Sequence, residues 1–119
     1  MRASFTGTRN GMSDSQKAQL SVVLGVLRKN FEHFGYGTHD AAELKSDLYA
    51  AQLADALGYE LVPFNAARGD ELKRDRRQVA WSHILIAAPK TNEEMLRSGT
   101  WATVRYARKR HIPVIHLSR

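Results

Sequence analysis

Hydrophobic positions along this chain switch between two spacings, and each switch marks an element. A short apolar run at Ala3-Ser4-Phe5 predicts a first strand, which runs into Gly7-Thr8-Arg9-Asn10-Gly11. Leu20, Val23, Leu24, Leu27, Phe31 and Phe34 then recur at the helical period, predicting an amphipathic helix from Ser13 to Phe34. Ser13-Asp14-Ser15-Gln16 opens it as a capping box, Ser13 capping and Gln16 reaching back. Gly35-Tyr36-Gly37-Thr38 breaks that helix, and a strand near Phe34 to Tyr36 is the least defined element. A second helix spans Ala41 to Leu57, with Ala50, Leu53, Ala54 and Leu57 on one face and Gly58 as its C-cap. Glu60 to Phe64 reads as a short strand, and Asn65 to Asp70 as a turn-rich loop. A helix from Asp70 to Ala80 follows, its apolar contacts being Leu72 and Val79. The apolar run His83 to Ala88 predicts a buried strand that stops at Pro89. After a loop, Ser98-Gly99-Thr100-Trp101-Ala102-Thr103 opens a helix, and Ile112 to Leu117 supplies a last strand.

Strands alternating with helices predict an α/β fold, a mostly parallel sheet flanked by helices on both faces. Ligands of such sheets bind beyond the carboxyl ends of the strands. The Gly7 turn, the Thr38 loop, the Pro89 loop and the Gly99 turn all belong to that edge. Helix N-termini there present free N–H groups and the positive end of the helix dipole to an anion. Residues 1–119 make one domain, with no internal repeat and no linker.

The chain has no Cys, which excludes disulfides and thiolate metal sites. No apolar run is long enough for a membrane span, and the N-terminal residues lack a signal-peptide pattern. A cytoplasmic protein without membrane association is the expectation. The formal net charge of +6 favours anionic partners such as nucleotides, nucleic acid or acidic surfaces. Lys and Arg that merely solvate helices would give the same total. One basic group, Arg105, Arg108, Lys109 and Arg110, sits at a helix C-terminus, where cations complement the dipole. The other, Lys73, Arg74, Arg76 and Arg77, has no such explanation. The five histidines, His33, His39, His83, His111 and His116, show no metal-ligand spacing, and there is no Ser-His-Asp pattern. His39 stands out among them, in the loop after the Thr38 break.

Phe5-Thr6-Gly7-Thr8-Arg9-Asn10-Gly11-Met12 resembles the opening "FTGTRxGM" of small SLOG-type Rossmann-like proteins. Leu85 to Thr91, followed by Arg97-Ser98-Gly99-Thr100-Trp101-Ala102-Thr103-Val104-Arg105-Tyr106-Ala107-Arg108-Lys109, is similar to the closing block of that group. The resemblance is close at both ends of the chain and loose in the middle. It implies kinship with the lonely-guy phosphoribohydrolases and the DNA-processing protein A family. It further implies a nucleotide-type ligand, a homodimer, and a bacterial or phage setting, where many small members occur. The group's first phosphate loop maps onto Gly7, Thr8, Arg9 and Gly11, its Arg-rich segment onto Arg74-Asp75-Arg76, and its second phosphate turn onto Ser98-Gly99-Thr100. Its middle motif, "HGDxxGAD", survives here only as Gly37 and Asp47, with extra residues between them.

The lonely-guy motif "PGGxGTxxE" places its assisting Glu where this chain has Thr103, and a hydroxyl does not replace a carboxylate in acid–base work near neutral pH. Catalytic residues and metal ligands are therefore expected to be none, and no cofactor is expected. The expected ligand-binding set is Gly7, Thr8, Arg9, Asn10, Gly11, Asp47, Arg74, Arg76, Pro89, Ser98, Gly99, Thr100 and Trp101. Trp101 reads as core slightly ahead of a wall for a base or ribose, Tyr36 as a stacking ring, and Trp81 as packing. The expected function is binding of a phosphate-bearing small molecule, a nucleotide or derivative, without turnover, as in sensing or sequestering a signal. One alternative is a nucleotide N-glycosidase using Asp47, Glu93 or Glu94. The other is binding of single-stranded nucleic acid, supported by the basic excess and weakened by the lack of an aromatic platform among the basic residues.

Overall fold

Five strands and four helices alternate in a computed structural model that describes residues 1–119. They are β1 (Arg2–Gly7), α1 (Asp14–Leu27), β2 (His33–His39), α2 (Lys45–Ala56), β3 (Glu60–Ala66), α3 (Glu71–Trp81), β4 (Ile84–Ala88), α4 (Gly99–Lys109) and β5 (Val114–His116). All strand pairs are parallel, in the order β3-β2-β1-β4-β5. The expected α/β sheet architecture is what forms.

The period-2 alternation of β4 shows how both sheet faces are filled. Ile86 and Ala88 join one apolar cluster with Ala3, Phe5, Phe34, Leu20 and Leu24 of α1 and Ala50 and Ala54 of α2. Leu85 and Ala87 point the other way, into a second cluster with Val79 of α3 and Trp101, Val104 and Ala107 of α4. Helices α1 and α2 therefore cover one face, and α3 and α4 the other.

Several expected boundaries move. Helix α1 stops at Leu27, although Phe31 and Phe34 continue its apolar period. Arg28 to Asn30 turn the chain, and Phe34 enters β2 opposite Ala3 of β1. Its ring sits 6.4 Å from Phe5 and 6.0 Å from Tyr59, so its helical spacing from Leu27 is incidental. Helix α2 begins at Lys45, not Ala41, because residues 40–44 are held as a loop. The Asp40 N–H donates to the Ala66 carbonyl, the Ala41 N–H to His39 Nδ1 and the Lys45 N–H to the Arg9 carbonyl. In α3, Leu72 is exposed and belongs to neither core cluster. The buried side chains of that helix are Arg74, Gln78 and Val79. Trp81 packs against Phe64, with ring centroids 5.3 Å apart.

Candidate functional site

Strand β1 lies between β2 and β4, and the chain leaves it for α1 on one face and leaves β4 for α4 on the other. A crevice opens at such a switch point, beyond the carboxyl ends of the strands. Here it is a cavity of about 460 Å³. The loop after β1 and the start of α4 face each other across it. The expected residues Gly7, Thr8, Arg9, Asn10, Asp47, Arg74, Ser98, Gly99 and Thr100 line it.

Gly11, Arg76, Pro89 and Trp101 lie outside that lining. Gly11 closes the β1 loop at φ 107°, its N–H donating to the Thr8 carbonyl, so it shapes the turn and faces elsewhere. Arg76 is exposed on the outer face of α3, its guanidinium 5.3 Å from the centre of the Tyr106 ring. Pro89 is fully buried and its carbonyl accepts from Gln16 Nε2. Trp101 is core, 4% exposed, with its ring 5.3 Å from that of His116. The inward-facing residues of the Gly99 turn are instead Ser98, Gly99 and Thr100, one turn earlier.

The two loops supply N–H groups differently from the expectation. Ser13 and Gln16 close a reciprocal capping box on α1, and no α1 residue lines the cavity. In the β1 loop the Thr8 N–H donates to the Ala88 carbonyl, which leaves the N–H groups of Arg9 and Asn10 without a partner in the chain. At α4 the Ser98 hydroxyl accepts from the Trp101 N–H, leaving those of Gly99 and Thr100 at the open first turn.

The floor is ionic and buried. Arg74 is 6% exposed. Its Nη1 donates to the carbonyls of Thr38 (2.6 Å) and Phe64 (3.1 Å), and its Nε to Asp75 Oδ1 at 2.7 Å. Asp47 accepts the Gly37 N–H at 2.8 Å. Burial pushes the Asp47 carboxyl up to about 7, against the opposing pull of that N–H and of Arg74. Asp75 is also raised by burial, with Arg74 opposing. Its Oδ2 accepts the Thr103 hydroxyl at 3.2 Å. The hydroxyl that stands where the resemblance puts a glutamate is therefore bonded to a carboxylate from the neighbouring helix. Gln78 donates to the Phe5 carbonyl at 2.7 Å and fixes the end of β1 against α3.

Glu71, Asp75, Gln78, Lys90, Met95 and Arg97 line the cavity without having been expected there. The signal for Asp75 and Gln78 was a helix with almost no apolar stripe, whose inner face had to be polar. Glu71 lies 3.0 Å from His39 Nε2, and that hydrogen bond holds its carboxyl below the usual range. His39 Nδ1 accepts a backbone N–H, so Nε2 carries the proton, and His39 serves the loop rather than the cavity. Glu94 pairs with Arg105 and Arg108 outside the cavity, and Glu93 is exposed beside it. No group of three or more His, Cys, Asp or Glu side chains is placed to hold a metal ion.

No protein-family model matches the chain, and no curated protein matches it. Among solved structures, the chain is similar to DNA processing protein A from Helicobacter pylori, described for its single-stranded DNA binding mode. The TM-score is 0.68 at 18% identity, over 98% of this chain and 64% of that one. It is also similar to a molybdenum cofactor carrier protein from Chlamydomonas reinhardtii, with a TM-score of 0.67 at 16% identity, over 97% of this chain and 74% of that one. The chain thus spans less than two thirds of the first of these. At such identities the likeness is one of fold, and it makes this a Rossmann-like α/β chain with five parallel strands flanked by four helices.

Proposed function

We propose that the chain is a SLOG-type domain that binds a nucleotide or nucleotide-derived phosphate in the β1–β4 crevice and releases it unchanged. One observation carries this reading. Two backbone turns with open N–H groups, Arg9–Asn10 and Gly99–Thr100, converge on one cavity that also holds Arg9, Arg74, Lys90 and Arg97. Fixed N–H groups and guanidinium donors are the chemistry of phosphate recognition. The test is a thermal-shift screen with nucleoside mono-, di- and triphosphates, cyclic dinucleotides and ADP-ribose. A ligand of the folded state raises the melting temperature, and chromatography of the same samples reports any product. A shift with intact ligand is expected. No shift with any of them overturns the reading.

A second reading is binding of single-stranded DNA. The net charge of +6 supports it, as does similarity to a protein described for that activity. Its mark is an oligonucleotide affinity that falls steeply with salt.

The Thr103–Asp75 hydrogen bond, which sets a carboxylate beside the position where the resemblance puts a glutamate, favours a third, cleavage of a nucleotide N-glycosidic bond assisted by the Asp75 carboxylate. Burial raises the pKa of that carboxyl, while Arg74 and the Thr103 hydroxyl pull it back. Release of free base that disappears in Asp75→Asn would select this reading over simple binding.

A further inference from the structure

We propose that the chain has a second ligand compartment, a ring pocket at the end of β2, so that the nucleotide it binds lays its phosphate in the crevice and its base on the far side of Leu44. The inference rests on the phosphate reading of the crevice and adds the place and chemistry of the other end of the ligand.

The crevice has little to offer a flat ring. Its apolar lining is Phe5, Leu44 and Met95, and Phe5 is fully buried. Next to it, a separate cavity of about 170 Å³ opens between the end of β2 and the loop 40–44. Half of its lining is apolar: Tyr36, Ala42, Leu44 and Leu48. That volume is below the several hundred Å³ of a whole ligand site, and it suits one ring system.

The two cavities are neighbours. Leu44 lines both. Gly37 lines the ring pocket and Asp47 the crevice, and the Gly37–Asp47 hydrogen bond of 2.8 Å joins their walls. Leu44 is thus the shared wall between the phosphate donors of the crevice and Tyr36. Two polar side chains of the pocket wall are already engaged, while the Glu43 carboxylate and the Tyr36 hydroxyl are free. His39 bonds Glu71 and the Ala41 N–H, and the Thr38 hydroxyl bonds Asn65. Burying a ring there leaves those bonds intact, so apolar contact and stacking dominate. Leu48, 44% exposed, is an apolar side chain that such a ring would cover. The wall-forming residues Ala42, Glu43 and Leu44 belong to the segment between Gly37 and Asp47, where the sequence carries extra residues relative to the pattern it resembles.

The experiment is calorimetric titration with ribose 5-phosphate, with AMP, GMP, CMP and UMP, and with a short oligodeoxynucleotide. The proteins are wild type, Ala42→Phe, which fills the pocket, and Leu48→Glu, which charges its rim. At least one mononucleotide is expected to bind roughly tenfold more tightly than ribose 5-phosphate, within the range for a base stacked on an aromatic side chain. Both variants are expected to lose that advantage and keep their ribose 5-phosphate affinity. Leu48 is exposed, so Leu48→Glu keeps the test valid if Ala42→Phe does not fold. Loss of oligodeoxynucleotide binding alone in the variants would overturn the mononucleotide ring pocket and point to contact with a strand instead. If no base adds affinity, or if the variants keep the advantage, the ring pocket is overturned while the crevice reading stands. If ribose 5-phosphate and every nucleotide fail to bind wild type, both fall together.

Discussion

The Gly37 N–H donates to Asp47 Oδ2 at 2.8 Å, tying the end of β2 to the first turn of α2 beneath the crevice. Gly37 also has no room for a side chain. A Cβ built there meets Arg74 Nη1 at 2.8 Å, Arg74 Cζ at 3.0 Å and Asp47 Oδ2 at 3.1 Å. The guanidinium cannot simply swing aside, because Thr38, Phe64 and Asp75 hold it. Gly37→Ala is expected to destabilise the fold by about 1–3 kcal/mol, as overpacking does. It should also weaken phosphate binding by displacing Arg74. Urea unfolding and phosphate titration measure the two effects.

Asp47 makes stability depend on pH in a defined direction. Its pKa stands at about 7 in the folded chain against an ordinary value of 3.8. Between those values the folded state holds the proton more tightly than the unfolded state. Stability therefore falls as pH rises through that window and levels off above it. Asp47→Asn keeps an oxygen for the Gly37 N–H and removes the titration. The variant is expected to gain on wild type progressively from pH 4 to pH 7.5, by a few kcal/mol at most. Above pH 7 it should also bind pyrophosphate more tightly, since a buried anion has left the crevice. Melting temperatures of both proteins across pH, and pyrophosphate titrations at pH 5.5 and pH 8, check this.

The sheet and the helices on it were legible because period and turn residues mark them: the apolar run of β4, the capping box of α1, and Gly58 at φ 90° closing α2. The end of α1 was not legible, since Phe31 and Phe34 fall by chance on its apolar period while tertiary pairing puts Phe34 in β2. Of the crevice, the parts made of local sequence, Gly7 to Asn10 and Ser98 to Thr100, stand out by their turns. For Asp75 and Gln78 the missing apolar stripe of α3 says only that its inner face is polar; that this face and Glu71 meet the crevice depends on α3 crossing the carboxyl ends of the strands, a long-range fact. Trp101 was ambiguous for the opposite reason: a residue one turn into a helix can face the site or the sheet, and packing alone decides.

Arg74 anchors three elements at once, joining the ends of β2 and β3 to α3. Its loss takes the guanidinium donor from two strand carbonyls and leaves Asp75 without its cation. Arg74→Met is expected to cost about 3 kcal/mol, the scale for breaking a partly buried ion pair from one side. Arg74→Met combined with Asp75→Leu should recover part of that, because no uncompensated carboxylate remains. Arg74→Lys should rescue poorly, since one ammonium cannot copy the planar fork. Denaturant midpoints of the four proteins decide among these outcomes.

Trp101 belongs to the core, so its truncation should act on stability and leave ligand affinity alone. Trp101→Ala is expected to cost about 3–5 kcal/mol, the usual price of emptying a buried aromatic site. Trp101→Phe should cost far less and should bind nucleotides as wild type does. A Trp101→Phe protein that folds normally and loses nucleotide affinity would put the indole back in the ligand site.

Gly99 offers the cleanest separation of folding from binding. It is the first residue of α4, and a Cβ there meets nothing within 4 Å. Gly99→Val should therefore fold with a stability close to wild type, helix propensity at an end position counting for less than about 1 kcal/mol. The same open space is the crevice, where Gly99 sits beside the unpartnered first-turn N–H groups. A branched side chain there stands between those groups and a phosphate. Losing one charge-assisted hydrogen bond corresponds to roughly a tenfold fall in affinity, and that is the fall expected for pyrophosphate and for nucleotides alike. Equal affinities in Gly99→Val and wild type would remove the α4 turn from the binding site and leave the β1 loop as its remaining backbone donor.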